Sequence, residues 1–468
     1  MVFSSLIFLF LFLPATILIY YASPMKFRNA VLLVVSLIFY AWGEPLYIFI
    51  MIFSTVFDYI NGLLIDKYRH RKRIARSIFI GSMAGSLGIL GFFKYADFVV
   101  DNFNQLFHMN IQAADLPLPV GISFYTFQTM SYVVDVYLDK VPVQRNFISF
   151  GAYVTMFPQL VAGPIVKYGD IAGQLISRKV TLDRFGEGAE LFIRGLAKKV
   201  LLANNIGLLW ASVKATPIEE LSVLSAWLGI TAFTLQIYFD FSGYSDMARG
   251  LGKMFGFDFM ENFRYPYISK SVTEFWRRWH ISLGSWFREY VYIPLGGNRS
   301  GFRKQLRNLL VVWFLTGLWH GASWNFIVWG LYFGFFVIIE KRFLLQSLGR
   351  LPAFVSHVYT LLVVMIGWVL FEMADLASVW RFMGVMLGFG GHAFADQQAL
   401  YDLSTNAVLL VVLAICATPL PGKLLSSMKE KRRVAGILTV PLIYFLSLVL
   451  STAYLVNETY NPFLYFRF

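Results

Sequence analysis

Two histidines stand where their chemistry matters. His280 lies in EFWRRWHISL (274–283), beside Glu274, Trp276, Arg277, Arg278 and Trp279. His320 lies in GLWHGASWN (317–325), between the apolar runs 306–319 and 324–339. Imidazole takes and gives protons near neutral pH. An ionisable group inside a membrane run is a functional hypothesis by default. No GxSxG elbow, P-loop or GxGxxG accompanies the pair. No HExxH and no Cys/His spacing suggests a metal. A deep imidazole without a nucleophile suits direct acyl transfer: a general base takes the proton of an acceptor hydroxyl as that oxygen attacks a thioester carbonyl. The resulting oxyanion needs a donor, and Asn325, a tryptophan indole and protonated His280 are the candidates. A transporter with His320 in a proton relay, and a non-catalytic scaffold for a periplasmic enzyme, stay open as readings of the same residues.

Periodicity supplies the elements that hold these residues. Over 272–290, Val272, Phe275, Trp276, Trp279, Leu283, Trp286, Phe287 and Tyr290 recur at three- and four-residue spacing. They form a helical stripe about 120° wide, with Arg277, Arg278 and Arg288 on the other side. The expectation is one amphipathic helix at the membrane face, with His280 at the edge of its apolar stripe. The run carrying His320 starts after Arg307. At about 1.5 Å per residue its imidazole lies roughly 18 Å into a core about 30 Å thick. Gly317 and Gly321 allow close backbone approach beside it. Asp240, Tyr244 and Asp246 follow a hydrophobic helix directly, in QIYFDFSGYSDMARG (236–250), and face a cavity or a partner. His70, His108, His357 and His392 lie in predicted loops or at a helix start.

The whole chain is greasy: 57% hydrophobic and 14% charged over 468 residues, against about 25% charged in soluble domains. Apolar runs from 3–22 to 434–455 predict about ten to twelve passes of one all-α, polytopic membrane domain, 1–468, with its motifs in 118–345 and a helical scaffold in 346–468. The first run has no basic segment before Phe3 and reads as a retained span. The net charge of +13 gathers in KYRHRKR (67–73), RGLAKK (194–199) and RSGFRKQLR (299–307). This is the positive-inside pattern of cytoplasmic loops rather than a nucleic-acid surface. It places residues 94–116 outside, 139–148 and 167–199 inside, and the long span-free stretch 257–305 on the cytoplasmic side. YVTMFPQLVAGPIVKYG (153–169), broken by Pro158, Gly163 and Pro164, reads as a re-entrant or cavity-lining hairpin. Cys416, the one cysteine, excludes an internal disulfide and reads as a small core residue.

FPQLVAGPIVKY, QIYFDFSGYSDMARGLG, ENFRYPYISKSVTEFWRRWHISL, YIPLGGNR and GLWHGASWNFIVWG together resemble the membrane-bound O-acyltransferase family, in its bacterial alginate O-acetylation branch. The resemblance covers about residues 1–345. It implies a multi-helix fold around a reaction chamber, with His320 as central catalytic residue and His280 in support. It implies no bound cofactor. Acetyl-CoA is the expected cytosolic acyl donor, an exopolysaccharide the final acceptor, and a periplasmic SGNH-type acetyltransferase the partner, in a multi-pass protein of the bacterial inner membrane. A D-alanyl transferase acting on teichoic acid is the nearest related activity. Within this reading Trp276, Trp279 and Asn325 join the substrate site, Asp240, Tyr244 and Asp246 line the chamber, and Lys270, Arg277 and Arg278 attract the phosphates of the donor.

Overall fold

A computed structural model describes residues 1–161, 163–299, 301–430, 434–457 and 464. Ala162 of the expected hairpin and Ser300 of the third basic segment lie outside the described residues. Every regular element among the described residues is helical. Seven of these helices are long and apolar enough to cross a membrane by length and composition: Met25–Gly43, Ile48–Lys67, Lys72–Phe107, Val223–Met254, Ala353–Glu372, Gln397–Cys416 and Leu438–Asn457. Other apolar runs fold into shorter helices, including Phe8–Ala22 and Trp324–Ile339. The protein is a multi-pass membrane protein.

The chain divides into two compact units, Met1–Phe192 with Ser245–Met260, and Ile193–Tyr244 with Glu261–Phe468. In the first, Arg69 pairs with Asp139 at 2.7 Å and Arg145 with Asp66 at 3.3 Å. These ion pairs join the 67–73 loop and the end of the helix before it to the 139–148 segment. The 153–169 segment is irregular and buried. The helix Phe147–Thr155 stops at Met156, a single turn Phe157–Leu160 follows, and regular helix resumes only at Tyr168. Side chains satisfy this backbone: Ser36 Oγ accepts from the Phe157 N–H at 3.0 Å, and Tyr153 donates to the Val166 carbonyl at 3.1 Å. Non-helical backbone at membrane depth survives only with such partners.

In the second unit the helices Phe302–His320 and Trp324–Ile339 form a tight antiparallel hairpin. A Cβ on Gly330 would lie 2.3 Å from the Trp313 carbonyl oxygen, and one on Gly317 would lie 2.4 Å from that of Phe326. Bare glycine at these two positions is what lets the backbones approach, as in small-residue membrane interfaces. Ala353–Glu372 packs on this hairpin. Its final residue, Glu372, accepts from Lys214 Nζ at 2.6 Å and from the Trp210 indole at 3.2 Å. The late helices Gln397–Cys416 and Leu438–Asn457 bury only 17% and 11% of their apolar windows, which fits a lipid-facing scaffold.

The structure corrects one expectation directly. Residues 272–290 are not one helix. Val272–Arg278 ends, Trp279 is extended, His280 adopts a left-handed conformation (φ 44°), and a new helix runs Ile281–Phe287. The reason lies upstream. Arg264 N–H donates to the Arg278 carbonyl at 3.0 Å, Ile281 N–H to the Asn262 carbonyl at 3.0 Å, and Ser282 N–H to Asn262 Oδ1 at 3.0 Å. Buried Asn262 and exposed Arg264 thus supply the partners that a continuous helix would have supplied, and a local periodicity cannot see them.

Candidate active site

The site lies wholly within the second unit. Ser271 caps the helix Val272–Arg278, its hydroxyl accepting from the Glu274 N–H at 3.0 Å. Glu340, fully buried, completes that helix start. Its two carboxylate oxygens accept from the Val272 N–H at 2.6 Å and the Thr273 N–H at 2.7 Å. A carboxylate on a helix N-terminus is favoured by charge and by hydrogen bonding alike. Glu340 directly follows Trp324–Ile339, so it ties the segment bearing His280 to the hairpin bearing His320.

His280 breaks the chain in a conformation that costs a residue with a side chain about 1–3 kcal/mol. The turn places its ring 4.8 Å from Phe241 and 6.0 Å from Trp319. His320 closes the helix Phe302–His320. Its ring centroid lies 4.9 Å from Trp319, 4.8 Å from Trp329 and 5.3 Å from Phe371. Trp319 therefore bridges the two imidazoles. Both histidines are buried, at 2% and 3% exposure. The rings of Trp319, Trp329 and Phe371 pack against His320 and leave its side chain little exposed. Burial also pushes the His280 imidazole down to about 3, partly opposed by its own backbone. It is neutral at physiological pH, which removes protonated His280 from the candidate oxyanion donors.

The other predicted residues divide. Trp276 packs against Trp313 (5.0 Å), Trp329 (5.6 Å) and Phe333 (4.9 Å). Trp279 packs 4.9 Å from Trp368 and belongs to the wall behind His280. Asn325 donates to the carbonyls of Leu370 (3.3 Å) and Met373 (2.8 Å), and Ser323 donates to its carbonyl oxygen. An amide has two N–H donors, so Asn325 has none left for an oxyanion and acts as a clasp between helices. Asp240 is locked in a buried ion pair with Lys199 at 2.6 Å and accepts from the Leu464 N–H at 3.0 Å. Asp246 pairs with Arg249 at 3.4 Å within the first unit, and Tyr244 is buried.

Arg278 is also committed. Its guanidinium holds Glu274 at 2.8 Å and the Arg264 carbonyl at 3.0 Å. Arg277 instead lines a cleft of about 870 Å³ with Arg288, Arg299, Lys341, Tyr292 and Gln305, and none of the described residues lining it is acidic. Its residues come from the predicted cytoplasmic stretch, from the helix Phe302–His320 and, for Lys341, from the turn after Trp324–Ile339. Four cations with no carboxylate form a focused positive field suited to phosphates. Sequence reasoning missed three of these cations because they belong to separate segments. It also missed Glu340, although an ionisable residue ending an apolar run is a signal in itself. Among the described residues no group of three His, Cys, Asp or Glu could hold a metal ion.

Comparison with known proteins bears on this geometry. A sequence model of the MBOAT, membrane-bound O-acyltransferase family, matches residues 140–374. The chain is 40% identical to "Probable alginate O-acetylase AlgI" of Pseudomonas putida, covering 100% of both chains. It is 45% identical to the protein of the same name in Pseudomonas aeruginosa, over 89% of this chain and 81% of the relative. It is 32% identical to the "Peptidoglycan O-acetyltransferase" of Helicobacter pylori, over 84% of this chain and 80% of the relative. Both buried histidines and the hairpin fall inside the matched family region.

Proposed function

The chain belongs to the membrane-bound O-acyltransferase family and is an O-acyltransferase; from that premise we propose that it moves an acetyl group from acetyl-CoA at the cytosolic face of the bacterial inner membrane toward an exopolysaccharide such as alginate. A periplasmic SGNH-type acetyltransferase completes delivery. His320 is the general base. His280 shapes the wall of the same site and stays neutral. The names of the relatives support acetyl transfer to a cell-envelope polymer.

One observation carries the reading: two buried imidazoles joined through one indole, at 6.0 and 4.9 Å between ring centroids. A general base works where the proton it takes is within hydrogen-bond reach and water is scarce. The acid-free basic cleft supports a phosphate-bearing donor. Arg277, Arg288, Arg299 and Lys341 would hold the phosphates of CoA.

In cells whose own copy is deleted, wild type should restore polymer-bound acetyl groups, and His320→Ala should not, at equal membrane abundance and equal polymer yield. A non-catalytic scaffold would leave acetylation intact in His320→Ala.

A further inference from the structure

The tetrahedral oxyanion of acyl transfer needs a preorganised donor, and two of the three candidates are removed by the structure. Asn325 spends both N–H groups on main-chain carbonyls. His280 is neutral, because burial holds it near 3, so it brings no imidazolium charge to an anion. Indoles remain. Trp276, Trp329 and Trp368 each bury an indole N–H that has no acceptor among the described residues. A buried donor left without a partner costs roughly 1–3 kcal/mol, and native folds retain such groups where a ligand or a reaction uses them. The three are not equivalent. Trp329 is fully buried and its ring lies 4.8 Å from that of His320, nearly perpendicular at 76°. Trp276 touches Trp329, and Trp368 touches Phe371 and Trp279.

Building on the acetyltransferase reading above, we infer that the Trp329 indole N–H is the oxyanion donor of this site. The acceptor hydroxyl oxygen bonds to the acetyl carbonyl carbon, and its proton passes to His320. The carbonyl π pair moves onto oxygen, where the Trp329 N–H receives it. On collapse the carbonyl re-forms, the carbon–sulfur bond breaks, and the leaving thiolate takes the proton from the His320 imidazolium. Base and donor thus stand on facing helices of one hairpin. The bare glycines Gly317 and Gly330 bring those helices together, and Gly330 is the next residue after Trp329.

The test uses the full-length protein in lipid vesicles supplied with acceptor polymer, with acetyl-CoA as donor and release of CoA thiol as readout. Trp329→Phe keeps an aromatic ring and removes the N–H. Benzothienylalanine at position 329 keeps the bicyclic shape and removes only the N–H. Both should lower kcat by about 10²–10³-fold, leave KM for acetyl-CoA within about threefold, and keep the acid limb of the pH profile. Trp368→Phe should stay near wild type. Should the benzothienyl variant retain more than a tenth of wild-type kcat, the assignment fails. It fails equally if Trp319→Phe, and not Trp329→Phe, produces the loss. Full activity in His320→Ala would instead overturn the acetyltransferase reading on which the assignment rests.

Discussion

At the scale of the residue, His280 combines a left-handed backbone with a buried, neutral ring. Unfolded histidine takes up its proton near 6.5, whereas folded His280 does so only near 3. Between these values the unfolded chain binds more protons, so stability falls as the pH drops from 6.5 toward 3 and is fully retained above 6.5. His280→Asn suits the test, because asparagine tolerates the left-handed region. Its thermal midpoint in detergent should depend less on pH between 4 and 6.5 than that of wild type. Equal slopes would contradict the buried neutral state. The burial of His320 was legible because an apolar run leads directly into it. The break before His280 was not legible, because Asn262 and Arg264 impose it from a separate segment.

At the scale of the element, the geometry depends on how one short helix and one hairpin are fastened. Glu340→Ala removes both acceptors from the start of the helix Val272–Arg278 and should cost about 1–3 kcal/mol, read as a lowered thermal midpoint. Its loss of kcat should not add to that of His280→Asn, because both act through the placement of one ring. Full additivity in that double-mutant cycle would show that Glu340 does not position His280. Gly330→Ala would push a methyl to 2.3 Å from the Trp313 carbonyl. It should separate the hairpin and abolish activity, whereas Gly349→Ala, with open space around it, should be silent. A normal melting temperature and rate in Gly330→Ala would contradict the close approach. Sequence reveals the glycines and the aromatic period of 272–290. The partners across the hairpin depend on tertiary packing and are not written in that period.

At the scale of the whole molecule, charge and hydropathy were the most legible features. Within the first unit, the basic 67–73 loop and the end of the helix before it meet the 139–148 segment through ion pairs. The basic cleft was only half legible. Arg277 was in the predicted set, but Arg278 is bound to Glu274, and Arg288, Arg299 and Lys341 converge only after folding. Arg288→Glu with Arg299→Glu should raise KM for acetyl-CoA at least about tenfold, with the gap to wild type narrowing as salt rises. An unchanged KM would place the donor elsewhere. Trp319, Trp329 and Phe371 pack around His320 and shield its imidazole from bulk water.

The most direct measurement is acetyl-CoA thioester cleavage by the purified protein in vesicles, supplied with its polymer acceptor, in wild type and in His320→Ala of equal thermal stability. The account predicts turnover in wild type and a loss of at least about a hundredfold in kcat for His320→Ala. Equal turnover in the two proteins would contradict a general base at His320.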